Sequence, residues 1–356
     1  MKNCRIQTME SLTTPTSITS SIERAAQALK DADYLLIMAG AGFSADSGLA
    51  TYETMPEEYR ELCDPRLLIQ QPSRFQQFWI DFANKYASCQ PHGGYEILDN
   101  WCHGGALDRL ALTTKDGGSA SSSSSASAWW VYTSNVDGHF RRFPSFETHL
   151  CEIHGFAGEF RCACAMGRLE GRNGRRRRQG IDWDQWNDQV DLAVTEKCDS
   201  SVIAIGDQQE TSSTCVHCGC LARPNVLLFH DTDENVLKAI QHQRDRYQNW
   251  EAQMEDDIVL NGKRLVILEF GCGMNVPAVR IEAEEVLADC LDRIQSKAGD
   301  EQDNKRGGAT LVRVNPKDAG IEKNEQLRGH VISIFDTSLN TIQSIDQALS
   351  ELAHAS

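Results

Sequence analysis

Tyr34-Leu35-Leu36-Ile37-Met38-Ala39-Gly40-Ala41-Gly42-Phe43-Ser44-Ala45 is the stretch that decides the fold class. An unbroken apolar run, the signature of a strand buried on both faces, leads directly into a glycine-spaced turn. The turn fits G-x-G-x-x-G/A at a strand's C-terminal end. Small residues there let the backbone approach a pyrophosphate, and free N–H groups at a helix start supply positive potential. A hydride-transferring dehydrogenase would continue with a second strand ending in an acid about 20 residues on. Here that interval holds Pro56-Glu57-Glu58-Tyr59-Arg60 and no apolar strand, which points to a dinucleotide site of another design.

Further buried strands are expected at Trp129–Tyr132, Val226–Phe229, Leu265–Leu268, Leu311–Val314 and Val331–Ile334. Helical spacing appears between several of them, in Ile22, Ala25, Ala26 and Leu29, in Ala283, Val286, Leu287, Cys290, Leu291 and Ile294, and in Ile345, Ala348, Leu349 and Leu352. Alternating strand and helix imply an α/β fold with a doubly wound, parallel, Rossmann-like sheet. Ser20 with Glu23 reads as a capping box opening the first helix, and Asn340 as the N-cap of the last. Residues 1–20 read as a disordered tail and 21–354 as the domain. Its core covers about 21–54, 102–154 and 224–354. A helical insertion over about 55–101 and a cysteine-containing, zinc-ribbon-like insertion over about 155–223 form a smaller lobe. Residues 117–128 and 170–180 are expected to be flexible loops.

The chain has 356 residues, 40% of them hydrophobic, enough for a sizeable core. Its net charge of −16 repels phosphate backbones and anionic lipid, so neither direct nucleic-acid binding nor membrane association is expected. The arginine-rich span Arg172–Arg178 reads as a solvated loop tip, with a nuclear import signal or a nucleic-acid contact as alternatives. Thirteen cysteines, an odd and unevenly clustered set, suit a reducing compartment. No run reaches the roughly 20 apolar residues needed to span a bilayer. The expectation is a soluble intracellular protein of cytoplasm or nucleus rather than an organelle.

Two more strand ends carry chemistry. After Trp129–Tyr132 comes Thr133-Ser134-Asn135-Val136-Asp137-Gly138-His139, where alternation puts Asn135 and Asp137 on one face at the edge where open α/β sheets bind ligands. An amide and a carboxylate together complement a carboxamide such as that of nicotinamide, although the same pattern also serves as an Asx-turn. Cys151-Glu152-Ile153-His154-Gly155 then places an imidazole at a strand end, either a structural histidine or a general base for a ribose hydroxyl.

In order and spacing, these motifs resemble the sirtuin family. The resemblance rests on Gly40-Ala41-Gly42-Phe43-Ser44 with Ser47-Gly48-Leu49, Pro91-His92-Gly93-Gly94-Tyr95, Asn135-Val136-Asp137, Ile153-His154-Gly155, Cys215-Val216-His217-Cys218-Gly219, Ala222-Arg223-Pro224-Asn225-Val226, and Val312-Arg313-Val314-Asn315. It implies that Gly40, Ala41 and Gly42 line the phosphates of NAD with Ser44 nearby, and that Tyr52 shields the reacting ribose. Asn135 and Asp137 would hold the carboxamide and His154 would be the catalytic base. Gly271, Cys272 and Gly273 would lie against the dinucleotide, and Asn315 would meet the adenosine ribose. The strand from Arg223 to Phe229 would pair with an acyl-lysine protein or peptide. Structural zinc would be held by Cys162, Cys164, Cys215 and Cys218, with Cys198, His217 or Cys220 able to complete the set.

The activity so implied is NAD-dependent lysine deacylation, with transfer of the acyl group to ADP-ribose and release of nicotinamide. Several positions depart from the family's pattern. Ala50-Thr51-Tyr52-Glu53 replaces Pro-Asp-Phe-Arg, Ser134 replaces a glutamine, His230-Asp231 replaces Gly-Glu, and Cys162-Ala163-Cys164 is one residue shorter than a C-x-x-C knuckle. These departures keep two alternatives open: ADP-ribosyl transfer or NAD hydrolysis at the same site, and a silent module that binds NAD or ADP-ribose.

Overall fold

The computed structural model describes residues 15–103, 127–165, 202–203, 214–215, 217–231, 233–297, 307–320 and 326–355. The arginine-rich span, Cys198 and most of both expected flexible loops lie outside them. The chain divides into two compact units, Met1–Met38 with Gly93–Trp129 and Gln253–Ser356, and Ala39–His92 with Trp130–Ala252.

The main sheet has six strands: β1 (Tyr34–Ala39), β2 (Trp129–Thr133), β3 (Leu150–Glu152), β7 (Arg264–Phe270), β8 (Gly308–Val314) and β9 (Val331–Ile334). A second sheet holds β4 (Gly155–Cys162), β5 (Val202–Ile203) and β6 (Ala222–Val226). The order in the main sheet is β3-β2-β1-β7-β8-β9, and the pairs β2–β3, β7–β8 and β8–β9 are parallel. Chain order reverses beside β1, the doubly wound arrangement that the alternation predicts. β1 is buried at every position because helices cover both faces of such a sheet.

In the first unit, α1 (Pro15–Lys30) and α9 (Ser338–His354) pack together through Ala25, Ala26, Leu29, Ile342, Ile345 and Leu349, all buried. Lys30 Nζ caps α9 by donating to Leu352 O at 2.9 Å. The helix α6 (Gly94–Cys102) is tied to α9 by Trp101 Nε1 donating to Asp346 at 2.7 Å. Two expected helix starts are corrected. α1 begins at Pro15, inside the segment read as a tail, so Ser20 is not its N-cap. α9 is capped by Thr337, in extended backbone, whose hydroxyl accepts from the Asn340 amide. Asn340 is therefore the third helical residue, and the β-branched hydroxyl upstream takes the capping role.

β8 buries a charge. Arg313 is fully enclosed and lies opposite Glu269 in the β7–β8 register, donating through Nε and Nη2 at 2.7–2.9 Å and reaching Glu284 of α8 (Ala278–Lys297) at 2.8 Å. Arg280 of α8 donates to Asp318 O and Gly320 O at 2.6 Å each, pinning the loop that follows Asn315.

In the second unit, β4 is central in a three-stranded sheet of order β5-β4-β6, and both pairings are antiparallel. The run Val226–Phe229 thus belongs to no strand of the main sheet. Its strand lies earlier, at Ala222–Val226, because Arg223 and Asn225 find polar partners in this unit that the hydropathy pattern does not show. Helices α4 (Leu67–Gln70) and α5 (Pro72–Ser88) pack Leu68, Phe75 and Trp79 onto Ala157, Phe160, Ala222 and Val226. Helical and cysteine-bearing insertions therefore share one core, and Gln76 Nε2 seals it by donating to Ala222 O at 2.8 Å. The remaining helices are α2 (Ala41–Ala45), α3 (Glu57–Glu61) and α7 (Glu234–Asn261).

Candidate active site

β1 ends at Ala39 and the chain turns at Gly40, whose extended backbone opens the short helix α2. The neighbouring strand β2 ends beside it. Thr133 Oγ1 and Ser134 N both donate to Ala39 O, at 2.9 and 3.2 Å, so the two strand ends are locked together. Beyond this lock the polar side chains converge. Asn135 Nδ2 donates to Gly40 O and Ser44 Oγ, each at 3.0 Å, and Ser44 Oγ donates to Asp137 Oδ2. Asp137 Oδ1 accepts from His139 N at 2.8 Å, an Asx-turn. One oxygen of Asp137 therefore shapes the loop, as the Asx-turn reading has it, and the other meets Ser44.

All three side chains are buried, which makes their remaining capacity significant. Both amide protons of Asn135 are engaged, so Oδ1 is the valence left for a donor. Each Asp137 oxygen has accepted one hydrogen bond and can accept another. A carboxamide NH2 is a matching donor. The site thus fits the group expected there on donor count alone.

His154 follows β3 at the same sheet end. Ile153 N donates to Thr133 O at 2.9 Å, which carries the residue to the end of β2, and the imidazole donates to the Ser134 carbonyl. Burial lowers its pKa from the ordinary value of 6.5, and nearby Arg244 adds to the shift. The ring is therefore neutral at pH 7, with one nitrogen spent on Ser134 and the other left to accept a proton. His154, Asn135, Asp137, Ser44 and Gly40 are brought together in the second unit.

Tyr52 stands on the loop after α2, edge-on to the half-exposed Phe229 at 5.7 Å between ring centres, with the Arg60 guanidinium 5.2 Å above its ring. In the first unit, Gly271-Cys272-Gly273 follows β7, and Asn315 Nδ2 donates to Cys272 O at 3.2 Å. Asn315 Oδ1 accepts from the amides of Lys317 and Asp318, so this side chain organises its own loop as well.

No family model matches the chain. Over 153 residues it is 27% identical to NAD-dependent protein deacylase 2 of Pseudomonas aeruginosa, covering 40% of this chain and 52% of that one. It is equally 27% identical to the NAD-dependent protein deacylase of Corynebacterium glutamicum, covering 41% and 51%. The chain spans about half the length of the curated relatives it matches. A Sir2 homologue solved with NAD superposes with a TM-score of 0.51 at 15% identity over 94% of each chain. A mutant Sir2 homologue solved with ADP ribose gives 0.52 at 14%, over 94% of this chain and 98% of that one.

The chain shares the fold of the Sir2 homologues and is similar over part of its length to NAD-dependent protein deacylases. The divergence has a physical form. Glu53, at the position of a family arginine, is exposed, and its backbone carbonyl accepts from Arg60 at 3.0 Å. Solvent therefore screens a charge that would otherwise oppose a pyrophosphate. His230, at the position of a family glycine, adopts φ 61°, alone among the described non-glycine residues in being left-handed. Next to it, Asp231 pairs with the buried Arg223, which also meets Asp233 and donates to Val226 O at 2.8 Å.

A sulfur cluster forms despite the shortened first knuckle. Cys162, Cys215 and Cys218 offer sulfurs all within 4.8 Å of one another, Cys164 belongs to the same buried group, and Cys220 packs against it. Cys164 N donates to Cys162 Sγ at 3.4 Å, and Gly219 N to Cys215 O at 2.8 Å, the second at a glycine of φ 73°. Converging thiols on two tight turns fit a structural zinc ion. Cys220 is a fifth sulfur brought in by the hairpin bond Cys215 N to Cys220 O at 2.7 Å.

Sequence reasoning missed two participants. His92 closes on the glycine loop, with its ring nitrogen 3.0 Å from Phe43 O and its amide donating to Ser47 Oγ at 3.0 Å. Arg141 bonds both Glu152 and Glu159. The Pro91-His92 motif was the available signal for the first, and nothing local marked the second. Among the described residues, no helix is long and apolar enough to cross a membrane.

Proposed function

We propose that this chain is an NAD-dependent protein-lysine deacylase acting on an acyl-lysine protein or peptide. The observation that carries the reading is the buried knot of Gly40, Ser44, Asn135 and Asp137 beside Ser134, whose carbonyl takes the His154 ring hydrogen bond. NAD, when bound, supplies a ribose carbon that accepts the acyl oxygen as nicotinamide leaves. Asn135 Oδ1 and Asp137 orient the leaving carboxamide, and their burial keeps these hydrogen bonds in a medium of low dielectric. His154, neutral at pH 7, takes the proton from a ribose hydroxyl through the ring nitrogen not bonded to Ser134. Zinc would be held by Cys162, Cys215 and Cys218 with Cys164, bracing the cysteine turns without touching the chemistry.

His230 gives a second reading a foothold. A left-handed histidine at the end of the acyl-lysine strand, where a glycine would leave room, favours hydrolysis of NAD or ADP-ribosyl transfer at the same site. Nicotinamide release measured with and without a panel of acyl-lysine peptides separates the two. Peptide-dependent release, abolished in His154→Ala, supports deacylation. Peptide-independent release supports the second reading, and NAD binding without release in either protein overturns both.

A further inference from the structure

His154 stands at the centre of a turn, and the residues two before and two after it are gripped by a single side chain from elsewhere. Glu152, last residue of β3 and 2% exposed, accepts from Arg141 Nε at 2.8 Å and pairs with its Nη2 at 2.6 Å. Phe156, second residue of β4, lies with its ring 4.2 Å beneath the same guanidinium. The third corner of the fork, Nη1, meets Glu159 at 2.7 Å, and Glu159 in turn accepts from Asn225 Nδ2 of β6 at 2.9 Å. Arg141 itself lies four residues after Asp137, on the loop shaped by the Asp137 Asx-turn.

The cradle around Phe156 is built for a close fit. A Cβ placed on Gly138 would lie 2.3 Å from the Phe156 ring, and one on Gly158 2.4 Å from it. Gly138 belongs to the Asp137 loop, so that loop, the aromatic ring and the guanidinium form one stack. At Gly155 the chain takes φ 80°, and Leu227 N donates to His154 O at 2.9 Å. The backbone of His154 is thus fixed to the segment after β6 and its ring to the Ser134 carbonyl, and the turn that carries both is the one Arg141 clasps.

We propose that Arg141 is a positioning residue that locks the His154 turn to the Asp137 loop, setting the imidazole against the carboxamide-binding pair. The inference rests on the deacylase reading for its kinetic consequence, but not for its structural one. A planar fork suits this position because it satisfies two carboxylates in different directions and still stacks flat on a ring, which an ammonium cannot do. No motif quoted for the family includes this arginine, and it acts through Glu152 and Phe156 without reaching the reacting atoms.

The test uses the full chain. Arg141→Met should lower kcat for nicotinamide release by on the order of tenfold to a hundredfold while KM for NAD stays within about twofold, since misplacement of a base costs turnover and leaves binding untouched. Arg141→Lys should recover part of the loss, because it keeps the pair with Glu152 and loses the stack. Glu152→Gln combined with Arg141→Met should be no worse than the more damaging single change, as expected for two ends of one clasp. An unaltered kcat in Arg141→Met, or multiplying losses in the double variant, overturns the proposal. Should Arg141→Met fail to fold, Arg141→Lys against Glu152→Gln carries the same comparison. An independent readout is the His154 imidazole resonance, assigned by its disappearance in His154→Ala. It should shift in Arg141→Met even if the wild-type protein releases no nicotinamide, in which case only the deacylase reading fails. An unmoved resonance overturns the clasp.

Discussion

At the residue scale, the chemistry turns on which proton each buried group holds. His154 has its pKa lowered by burial and then by Arg244, against the opposing pull of the Ser134 carbonyl. A base must be unprotonated, so turnover should be fully present at neutral pH and fall only as pH drops through a value below 6.5, the ordinary histidine position. A profile of kcat/KM taken between about pH 5 and 8 checks this, and an acid limb centred above 6.5 would contradict it. Asn135 and Asp137 were legible as a pair because they follow a strand end two positions apart, where alternation assigns one face, and Ser44 was legible through the glycine-loop motif that it closes. Arg141 was not, since its partners Glu152 and Glu159 are supplied by distant chain, whereas His92 was marked by its motif but not its contacts with Phe43 and Ser47. The pairing of charges across folds leaves no periodic trace in a single sequence.

At the element scale, the joint between β3 and β4 is the narrowest point of the second unit. Gly155 adopts φ 80°, and a Cβ there would fall 2.1 Å from Asn225 O, a backbone atom of β6 that cannot rotate away. Gly155→Ala should therefore destabilise the chain by about 2 kcal/mol or more, combining left-handed strain with forced separation of β4 from β6. Urea unfolding reads the cost directly, and a loss below about 0.5 kcal/mol would show that β4 and β6 can slide apart freely. Strand positions in the main sheet were legible because doubly covered strands are largely apolar, as in β1, and the buried Glu269–Arg313 pair of β7 and β8 interrupts an otherwise apolar pattern. β6 was misplaced by the same rule. Its Arg223 and Asn225 are buried polar residues stabilised by Asp231, Asp233, Arg161 and Glu159, so hydropathy pointed to the apolar residues just beyond it. The helix caps failed for a related reason: Ser20 and Asn340 have favoured side chains, but Pro15 and Thr337 lie where the chain actually enters the helix.

At the scale of the whole molecule, the cysteine cluster joins segments more than fifty positions apart, since Cys162 and Cys164 meet Cys215 and Cys218. Closing so long a stretch of chain carries an entropic cost that a bound ion offsets only in the folded state. Metal removal should therefore lower the stability of the entire second unit, because Cys162 ends β4 and Ala163 N donates to Leu221 O at 3.0 Å beside β6. Treatment with a zinc chelator is expected to release close to one ion per chain and to reduce the thermal midpoint by several degrees, with zinc restoring it. The fifth sulfur makes the prediction sharper. Cys162→Ser removes a member of the mutually close set and should abolish stoichiometric zinc, whereas Cys220→Ser should retain it, since Cys164 remains in the buried group to serve as fourth ligand. Zinc content measured on both variants decides the matter: loss in Cys220→Ser with retention in Cys164→Ser would transfer the fourth position to Cys220 and make the C-x-C pair a single-ligand turn.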